Sequence, residues 1–210
     1  MEIPLPRENL NFKSDINYEK TFIDSYHSNS FHHAWLISGP KGIGKSTLAY
    51  RFARFILSQN NDQNNHKLFL DDNSNKESLQ LTSDNPIYKR IVSNSHSDLM
   101  VIEPLKDQSG KSKKSISISE IRKIKPFLNT TSITGGWKVI IIDSMDELTI
   151  NGENALLKSL EEPPRKTLII LIATNSSQLL PTTISRCRSL PIFPLSNDML
   201  SNLINIYLPD

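Results

Sequence analysis

A glycine-rich stretch, Gly39 to Thr47, constrains the fold of this chain more than any other feature. It reads Gly-Pro-Lys-Gly-Ile-Gly-Lys-Ser-Thr and fits the phosphate-binding loop pattern, which ends in Gly-Lys-Ser. Glycines allow the backbone to turn with several N–H groups pointing inward, so that the loop forms a concave site for phosphate oxygens. Lys45 would bring a positive charge to the outer phosphates, and the Ser46 hydroxyl would ligate Mg²⁺. The candidate nucleotide-binding residues here are Gly39, Pro40, Lys41, Gly42, Ile43, Gly44, Lys45, Ser46 and Thr47.

Both flanks of this loop agree with the motif. Ala34 to Ser38 is a short apolar run typical of a buried strand, and apolar residues recur at helical spacing after the loop. The order of strand, glycine-rich turn and helix favours a nucleotide site over a chance match to a structural turn. The pattern predicts nucleotide binding and gives no information about hydrolysis.

A second apolar run ends in an acidic residue. Trp137 to Ile142 reads as a strand that is buried on both faces of a parallel sheet. Asp143 follows at the carboxyl end, where open α/β sheets bind ligands. Such an aspartate can hold the Mg²⁺ of a bound nucleotide, and a helix N-cap is the alternative role. We favour the metal role, with Ser46 and Asp143 as the predicted magnesium residues.

Periodicity predicts the remaining elements. Strands are expected at Leu99–Ile102, Thr167–Ala173 and Arg188–Ile192, and helices at 18–26, from Ser119 onward, at Asn154–Glu161 and from Ser196. Asn175 follows one of these strands, where a polar side chain could sense a γ-phosphate or an attacking water.

Two polar segments interrupt this pattern. Residues 59–97 are rich in asparagine, and we interpret His66 and His96 there as solvated loop residues rather than metal ligands. The loop at 106–114 contains four lysines, at positions 106, 111, 113 and 114. We interpret it as a solvated turn, with contact to a nucleic-acid backbone as the alternative.

Composition limits the function classes. The formal net charge is +2, so any surface for nucleic acid would have to be local. Cys187 is the one cysteine, which excludes a disulfide framework and a cysteine zinc cluster within the chain. The first residues lack the apolar core of a signal peptide, and no apolar run has transmembrane length. We therefore predict a soluble, cytoplasmic α/β protein with no membrane partner and no zinc.

Four features occur in one order along the chain. They are the phosphate loop, the strand that ends in Asp143, the block Asn-Ala-Leu-Leu-Lys-Ser-Leu-Glu-Glu-Pro-Pro at 154–164, and Ser185-Arg186-Cys187. In this combination the chain resembles the AAA+ subunits of the sliding-clamp loaders that serve DNA polymerase III. The resemblance extends over about 31–192 without the asparagine-rich segment, and the block and the triplet are its specific parts.

The resemblance implies an AAA+ P-loop NTPase fold, in which a five-stranded parallel sheet has helices on both faces and a small helical lid follows. Residues 1–193 would form the nucleotide-binding domain, with the asparagine-rich insertion at about 59–97, and residues 194–210 would begin the lid. Because relatives continue beyond the lid, we leave open whether these 210 residues are a whole protein or a fragment.

The resemblance also implies partners and cofactors. A hetero-oligomeric ring of clamp-loader subunits would bind ATP and Mg²⁺ and act on the sliding clamp and on primer-template DNA. Arg186 would be an arginine finger, a cation that reaches the nucleotide of the neighbouring subunit. From the residues alone, Arg186 and Arg188 would serve a salt bridge equally well.

One position departs from the hydrolysing relatives, in which a glutamate follows the strand-end aspartate and activates water. Here that position is Ser144, whose hydroxyl is a poor base near neutral pH. Asp146 or Glu147 is a less favoured substitute, since each is displaced along the chain. The expected result is a subunit that binds nucleotide, hydrolyses it weakly or not at all, and completes a neighbour's site.

Three other functions stay open at this stage. A self-sufficient AAA+ ATPase would need a general base in place of Ser144. A P-loop small-molecule kinase would explain the loop and Asp143 but would leave the block at 154–164 and the Ser-Arg-Cys triplet without a purpose. A scaffold that never holds nucleotide would show no ATP binding that depends on Lys45.

Overall fold

A computed structural model of the chain describes residues 4–14, 16–28, 30–59, 79, 81–104, 115–132 and 135–201. Helices and strands alternate along most of this length. The helices are α1 (Tyr18–His27), α2 (Lys45–Ser58), α3 (Pro86–Val92), α4 (Ile118–Arg122), α5 (Ile124–Asn129), α6 (Ile150–Glu161) and α7 (Pro181–Ile184). The strands are β1 (Ala34–Ser38), β2 (Leu99–Ile102), β3 (Lys138–Ile142), β4 (Thr167–Ala173) and β5 (Arg188–Pro191).

The five strands form one parallel sheet in the order β2-β3-β4-β1-β5. In its centre Leu36 of β1 is paired with Leu171 of β4, and Ile140 of β3 is paired with Ile169 of β4. Every residue of β1, β3 and β4 is buried, as expected for strands that are covered on both faces. The predicted five-stranded parallel sheet is confirmed.

Helices cover both faces of this sheet. Successive strand residues point to opposite faces, so Trp35 and Ile37 join one hydrophobic cluster while Ala34 and Leu36 join another. The first cluster contains residues of α1, α2 and α3, and the second contains residues of α4, α5 and α6. In the first, the rings of Phe22 and Phe52 stack at a centroid distance of 3.9 Å. The expected α/β architecture, a parallel sheet with helices on both faces, is therefore confirmed.

The helix predicted from Ser119 onward is two helices. Helix α4 begins after its N-cap, Ser117, and α5 begins at Ile124, with Lys123 between them. The reason is Pro126, which has no N–H and cannot continue the hydrogen-bond ladder across this point. Helix α6 begins earlier than expected, because the Thr149 hydroxyl accepts a bond from the Gly152 N–H and caps the helix there.

The end of the asparagine-rich segment contributes to the core, which periodicity did not predict. Asn85 caps α3 and Pro86 opens it, so that Ile87 and Ile91 pack under α2. His96 is 8 % exposed, and its Nδ1 accepts a hydrogen bond from the Asp98 N–H, so its interpretation as a solvated residue was wrong. His66 and the four lysines at 106–114 lie outside the described residues.

The chain continues from β5 into a further helix that begins at Asn197, one residue after the predicted cap at Ser196. The Ser196 carbonyl accepts a hydrogen bond from the Leu200 N–H over 2.9 Å. The described part of this helix ends at Ser201, so the predicted lid boundary near residue 193 stays a prediction.

Candidate functional site

The glycines of the loop adopt backbone angles that other residues rarely reach. Gly42 has φ = 85° and Gly44 has φ = 93°, both in the left-handed region, and Gly44 is the N-cap of α2. At Gly39 a Cβ atom would lie 2.3 Å from the carbonyl oxygen of Ile192. The turn therefore requires glycine for its torsions and for a close approach between two backbone segments.

Lys45 is folded back over this turn. Its Nζ donates to the carbonyl oxygens of Gly39 and Pro40, each over 2.7 Å, and the residue is 7 % exposed. Burial lowers the pKa of Lys45, while the carboxylates of Asp143 and Asp146 oppose this effect. Since both acceptors are neutral, an anionic phosphate oxygen would be a stronger acceptor for the same ammonium group.

Ser46 and Asp143, the two residues predicted to hold magnesium, are in contact with each other. Ser46 lies in the first turn of α2, Asp143 directly follows β3, and Ser46 Oγ donates to Asp143 Oδ2 over 2.6 Å. A hydroxyl and a carboxylate are oxygen ligands of the kind that Mg²⁺ prefers when phosphates complete its shell. The donor set therefore fits a nucleotide-bound Mg²⁺ beside the loop.

The end of β4 borders the same loop. Gly39 N–H donates to the carbonyl of Ala173, the last residue of β4, over 3.2 Å. Asn175 is close by, but its side-chain oxygen accepts bonds from the N–H and hydroxyl of Ser177 and so caps a short turn. Asn175 thus lies at the edge that borders the loop, and its side-chain oxygen is bound to Ser177.

Asp146 connects β4 to the turn after β3. Its two carboxylate oxygens accept the N–H groups of Thr174 and Asn175 over 2.5 and 3.1 Å. A carboxylate with both oxygens bound to the backbone is held in a structural role, which disfavours it as the substitute base.

The turn after Asp143 has an unusual conformation at the position where we expect a glutamate in a subunit that hydrolyses ATP. Ser144 has φ = 73°, a left-handed conformation that is uncommon for a serine. Glu147, the other substitute, has a buried Oε2 that finds no hydrogen-bond partner in the described part of the chain.

The N-terminal arm, residues 4–14, also contacts the loop, and sequence patterns did not indicate this contact. The Phe12 ring lies 3.1 Å from the point where a Cβ of Gly44 would be. The arm is held by Arg54 of α2, which donates to the Asn9 carbonyl over 2.9 Å, and by Tyr88 of α3, which donates to the Glu8 carbonyl over 2.8 Å.

Arg186 lies at the opposite edge of the sheet. It precedes β5, and Arg188 at the start of β5 pairs with Trp35 near the start of β1, whereas the loop follows the end of β1. Arg186 borders an open cleft of about 450 Å³, lined by His32, His33, Leu160, Glu161, Ser185 and Arg186. It therefore lies at the edge of the sheet opposite to its own Lys45, and its side chain is partly exposed.

The two neighbouring arginines have different surroundings. Arg186 Nη2 lies 2.7 Å from Glu161 Oε1, and its Nη1 donates to the Thr182 carbonyl over 2.8 Å. Arg188 instead donates to the Ser25 hydroxyl over 2.8 Å and stacks on the Trp35 ring. Arg188 thus fastens α1 to the sheet, and the structure separates two residues that the sequence left equivalent.

Glu153 is a buried acid that sequence analysis passed over. It is 4 % exposed, and its Oε1 accepts the N–H of Leu180, which precedes α7, over 2.8 Å. Residue spacing in the sequence did not indicate this contact, because β4 lies between α6 and α7 along the chain. It fixes the start of the helix that leads to Arg186.

The described residues contain neither a membrane-spanning helix nor a cluster of metal ligands. No helix among them combines the length and the apolar character needed to cross a membrane. The same residues contain no group of three or more His, Cys, Asp or Glu side chains that could hold a metal ion.

Comparison with known proteins then identified related sequences. A family model described as DNA polymerase III, delta subunit, matches residues 15–196. The delta' subunit of DNA polymerase III from Pseudomonas aeruginosa is 32% identical over 74% of this chain and 41% of its own length. The delta' subunit from Bacillus subtilis is 31% identical over 84% of this chain and 46% of its own length. The chain thus spans less than half the length of these relatives.

A solved structure shares the fold. A DNA polymerase III gamma subunit-related protein from Thermotoga maritima superposes with a TM-score of 0.56 over 92% of this chain and 51% of the other, at 22% identity. This likeness concerns the architecture alone.

Proposed function

Since the chain belongs to the family described as DNA polymerase III, delta subunit, we propose that it acts as a delta'-type subunit of a clamp loader in DNA replication. In this role it would join a hetero-oligomeric ring in the cytoplasm, together with subunits of the gamma or tau type, and contribute to loading the sliding clamp onto primer-template DNA. The observation that carries the proposal is the placement of Lys45 and Arg186 at opposite edges of one sheet.

The first part of the proposal is that the loop binds ATP with Mg²⁺. Backbone N–H groups around Gly42 and Gly44 and the ammonium of Lys45 would bind the phosphates. Ser46 and Asp143 would hold the ion, and Asn175 would face the outer phosphate after releasing its own turn. Bound Mg²⁺ would supply charge neutralisation between phosphate oxygens.

The second part is that this subunit hydrolyses ATP slowly or not at all. A general base typically contributes about 10²–10⁴-fold to such a rate. Ser144 is a poor base near neutral pH, and both oxygens of Asp146 already accept backbone N–H groups. Glu147 is displaced along the chain from the position that follows Asp143.

The third part is that Arg186 acts in trans. An arginine supplied by a neighbour can be worth about 10³–10⁵ in the rate of phosphoryl transfer. Arg186 is suited to this because it borders an open cleft at the edge that faces away from its own loop.

The test compares the chain alone with the reconstituted ring. Equilibrium binding of ATP is measured for the wild type and Lys45→Ala, followed by ATP turnover of each without partners. Turnover of the ring is then measured with wild type, Arg186→Ala and the control Arg122→Ala, which removes an exposed cation of α4.

We expect ATP binding that Lys45→Ala abolishes, and negligible turnover by the chain alone. We expect Arg186→Ala to remove the share of ring turnover that comes from the adjoining site, and Arg122→Ala to leave it unchanged. Robust turnover by the chain alone would favour a self-sufficient ATPase. Unchanged ATP turnover by the ring that contains Arg186→Ala would contradict the trans role.

A further inference from the structure

Helix α6 ends in an acid that the helix itself disfavours. Glu161 is its last residue, where the negative end of the helix dipole repels a carboxylate. The structure shows what the acid contacts instead, since Glu161 Oε1 lies 2.7 Å from Arg186 Nη2. The local conflict at Glu161 is therefore relieved by an ion pair with the candidate arginine finger.

The guanidinium of Arg186 is held at two of its nitrogens. Nη2 pairs with Glu161, and Nη1 donates to the Thr182 carbonyl over 2.8 Å. Because the guanidinium is planar and rigid, contacts at two nitrogens fix the orientation of the whole fork. The remaining part of the fork is left for an anion, and the side chain is 33% exposed.

The C-terminal end of α6, which carries Glu161, is itself held in place. The carbonyl of Leu160 accepts a 2.8 Å hydrogen bond from His33 Nε2, which ties the end of α6 to the start of β1. Burial lowers the pKa of His33, and the hydrogen bond to the Leu160 carbonyl opposes this effect. Near the other end of α6, Glu153 binds the N–H of Leu180 and so fixes the start of α7. Glu161 ends α6 and Arg186 lies two residues after α7, so both follow helices that are fastened to one another.

We propose that Glu161 is a positioning residue, which orients Arg186 for the phosphate of the neighbouring subunit. The proposal rests on the trans role proposed above for Arg186. An unconstrained arginine has many side-chain conformers, and ordering it during the reaction would raise the barrier of the neighbour's phosphoryl transfer. Glu161 orders it beforehand, while leaving donors for the phosphate.

The same contact has an opposite interpretation, in which Glu161 acts as a brake that occupies Arg186. Variants that change the charge and the hydrogen bonding of Glu161 separately distinguish the two interpretations. Glu161→Gln keeps an oxygen that can accept from Nη2 but loses the negative charge that would compete with a phosphate. Glu161→Ala loses both.

The experiment measures steady-state ATP turnover, as kcat and KM, of the full clamp-loader ring containing each variant. The variants are Glu161→Ala, Glu161→Gln, Arg186→Ala and Arg186→Lys, and Glu162→Ala is the matched control because its exposed carboxylate is the next residue. Ring assembly is followed by size-exclusion chromatography for every sample.

We expect Glu161→Ala to lower kcat of the adjoining site by about 2- to 5-fold, the range expected for a partly exposed ion pair, with KM for ATP and assembly unchanged. Glu161→Gln should retain most of the rate. An equal fall in kcat for Glu161→Ala and Glu161→Gln would still support positioning, and it would show that the negative charge of Glu161 orients Arg186. Arg186→Lys should lose rate like Arg186→Ala, because a lysine cannot hold Glu161 and a phosphate in one planar fork.

Three results would overturn the proposal: a rise in rate for both Glu161 variants, no change in either, or a loss of ring assembly in Glu161→Ala. A normal rate in Arg186→Ala is a separate result, since it removes the trans role itself. The two failures are therefore distinguishable.

Discussion

Ser46 Oγ donates to Asp143 Oδ2 over 2.6 Å, although the two residues are 97 positions apart in the sequence. Ser46 follows β1 through the glycine turn, Asp143 follows β3, and β4 lies between these two strands. Parallel strands end at the same edge, so the sheet brings both side chains to one place. The two residues that we expect to hold Mg²⁺ are thus in direct contact across the width of the central strand.

This contact predicts the effect of removing the charge of Asp143. Asp143→Asn keeps the size of the side chain and an oxygen near Ser46 but removes the negative charge that attracts Mg²⁺. We expect ATP affinity in the presence of Mg²⁺ to fall by about 10-fold or more, with little change in its absence. Calorimetric titration with and without Mg²⁺ measures both, and Asp198→Asn, an exposed aspartate, is the control. Equal losses in both conditions would contradict a metal role.

The close approach at Gly39 predicts a difference between two glycines of the loop. In Gly39→Ala the new methyl group would lie 2.3 Å from the Ile192 carbonyl oxygen, so two backbone segments would have to separate. In Gly42→Ala nothing lies within 4 Å of the methyl group, and only the left-handed torsion, at about 1–2 kcal/mol, is unfavourable. Urea unfolding should therefore show a clearly greater loss of stability for Gly39→Ala. Equal stabilities would contradict the observed packing of the loop against the residue after β5.

Cys187 offers a chemical test of the packing around the arginine. Burial, with a smaller contribution from the Glu153 carboxylate, raises the pKa of Cys187 to about 12. Since only the thiolate reacts with iodoacetamide, alkylation at pH 8 should be about 10³-fold slower in the native chain than in the unfolded chain. Mass spectrometry reads this directly, because the chain has one cysteine. Rapid labelling of the native chain would contradict the burial of the Cys187 thiol beside Arg186.

His96 predicts the direction of a pH effect on stability. Burial lowers the pKa of His96, Arg90 contributes in the same direction, and Asp98 opposes it. The unfolded chain therefore binds a proton at higher pH than the folded chain, and stability is lost as the pH falls through about 6.5. His96→Asn retains an acceptor for the Asp98 N–H but does not titrate. We expect urea midpoints of the variant to change less between pH 7.5 and 5.5 than those of the wild type. A parallel change in both proteins would assign the pH effect to other groups, such as His33, whose pKa burial also lowers.

The sequence predicted the sheet and the loop because their signals are local. The strands read as continuous aliphatic runs, and a glycine turn between a strand and a helix is recognisable from neighbouring residues alone. The break between α4 and α5 was missed although its cause, Pro126, is also local, because the apolar spacing of Ile121, Ile124 and Leu128 continues across it.

The contacts around Arg186 could not be predicted in this way. Glu161 and Arg186 lie on separate elements, and Glu153 meets Leu180 across a strand and two turns. The acid at the C-terminal end of α6 can be read in the sequence, but its partner in the ion pair cannot. The difference between Arg186 and Arg188 likewise depends on Trp35 and Ser25, which lie far away in the chain.

The separation of Lys45 from Arg186 gives the subunit a direction. One edge of the sheet carries the proposed nucleotide-binding loop, and the other edge, a strand length of about 13 Å away, carries Arg186, the proposed arginine finger. A two-fold pairing of copies through one shared patch could not satisfy both edges at once. Neighbours that use both must follow one another head to tail, and such a series has a first and a last member unless it closes on itself.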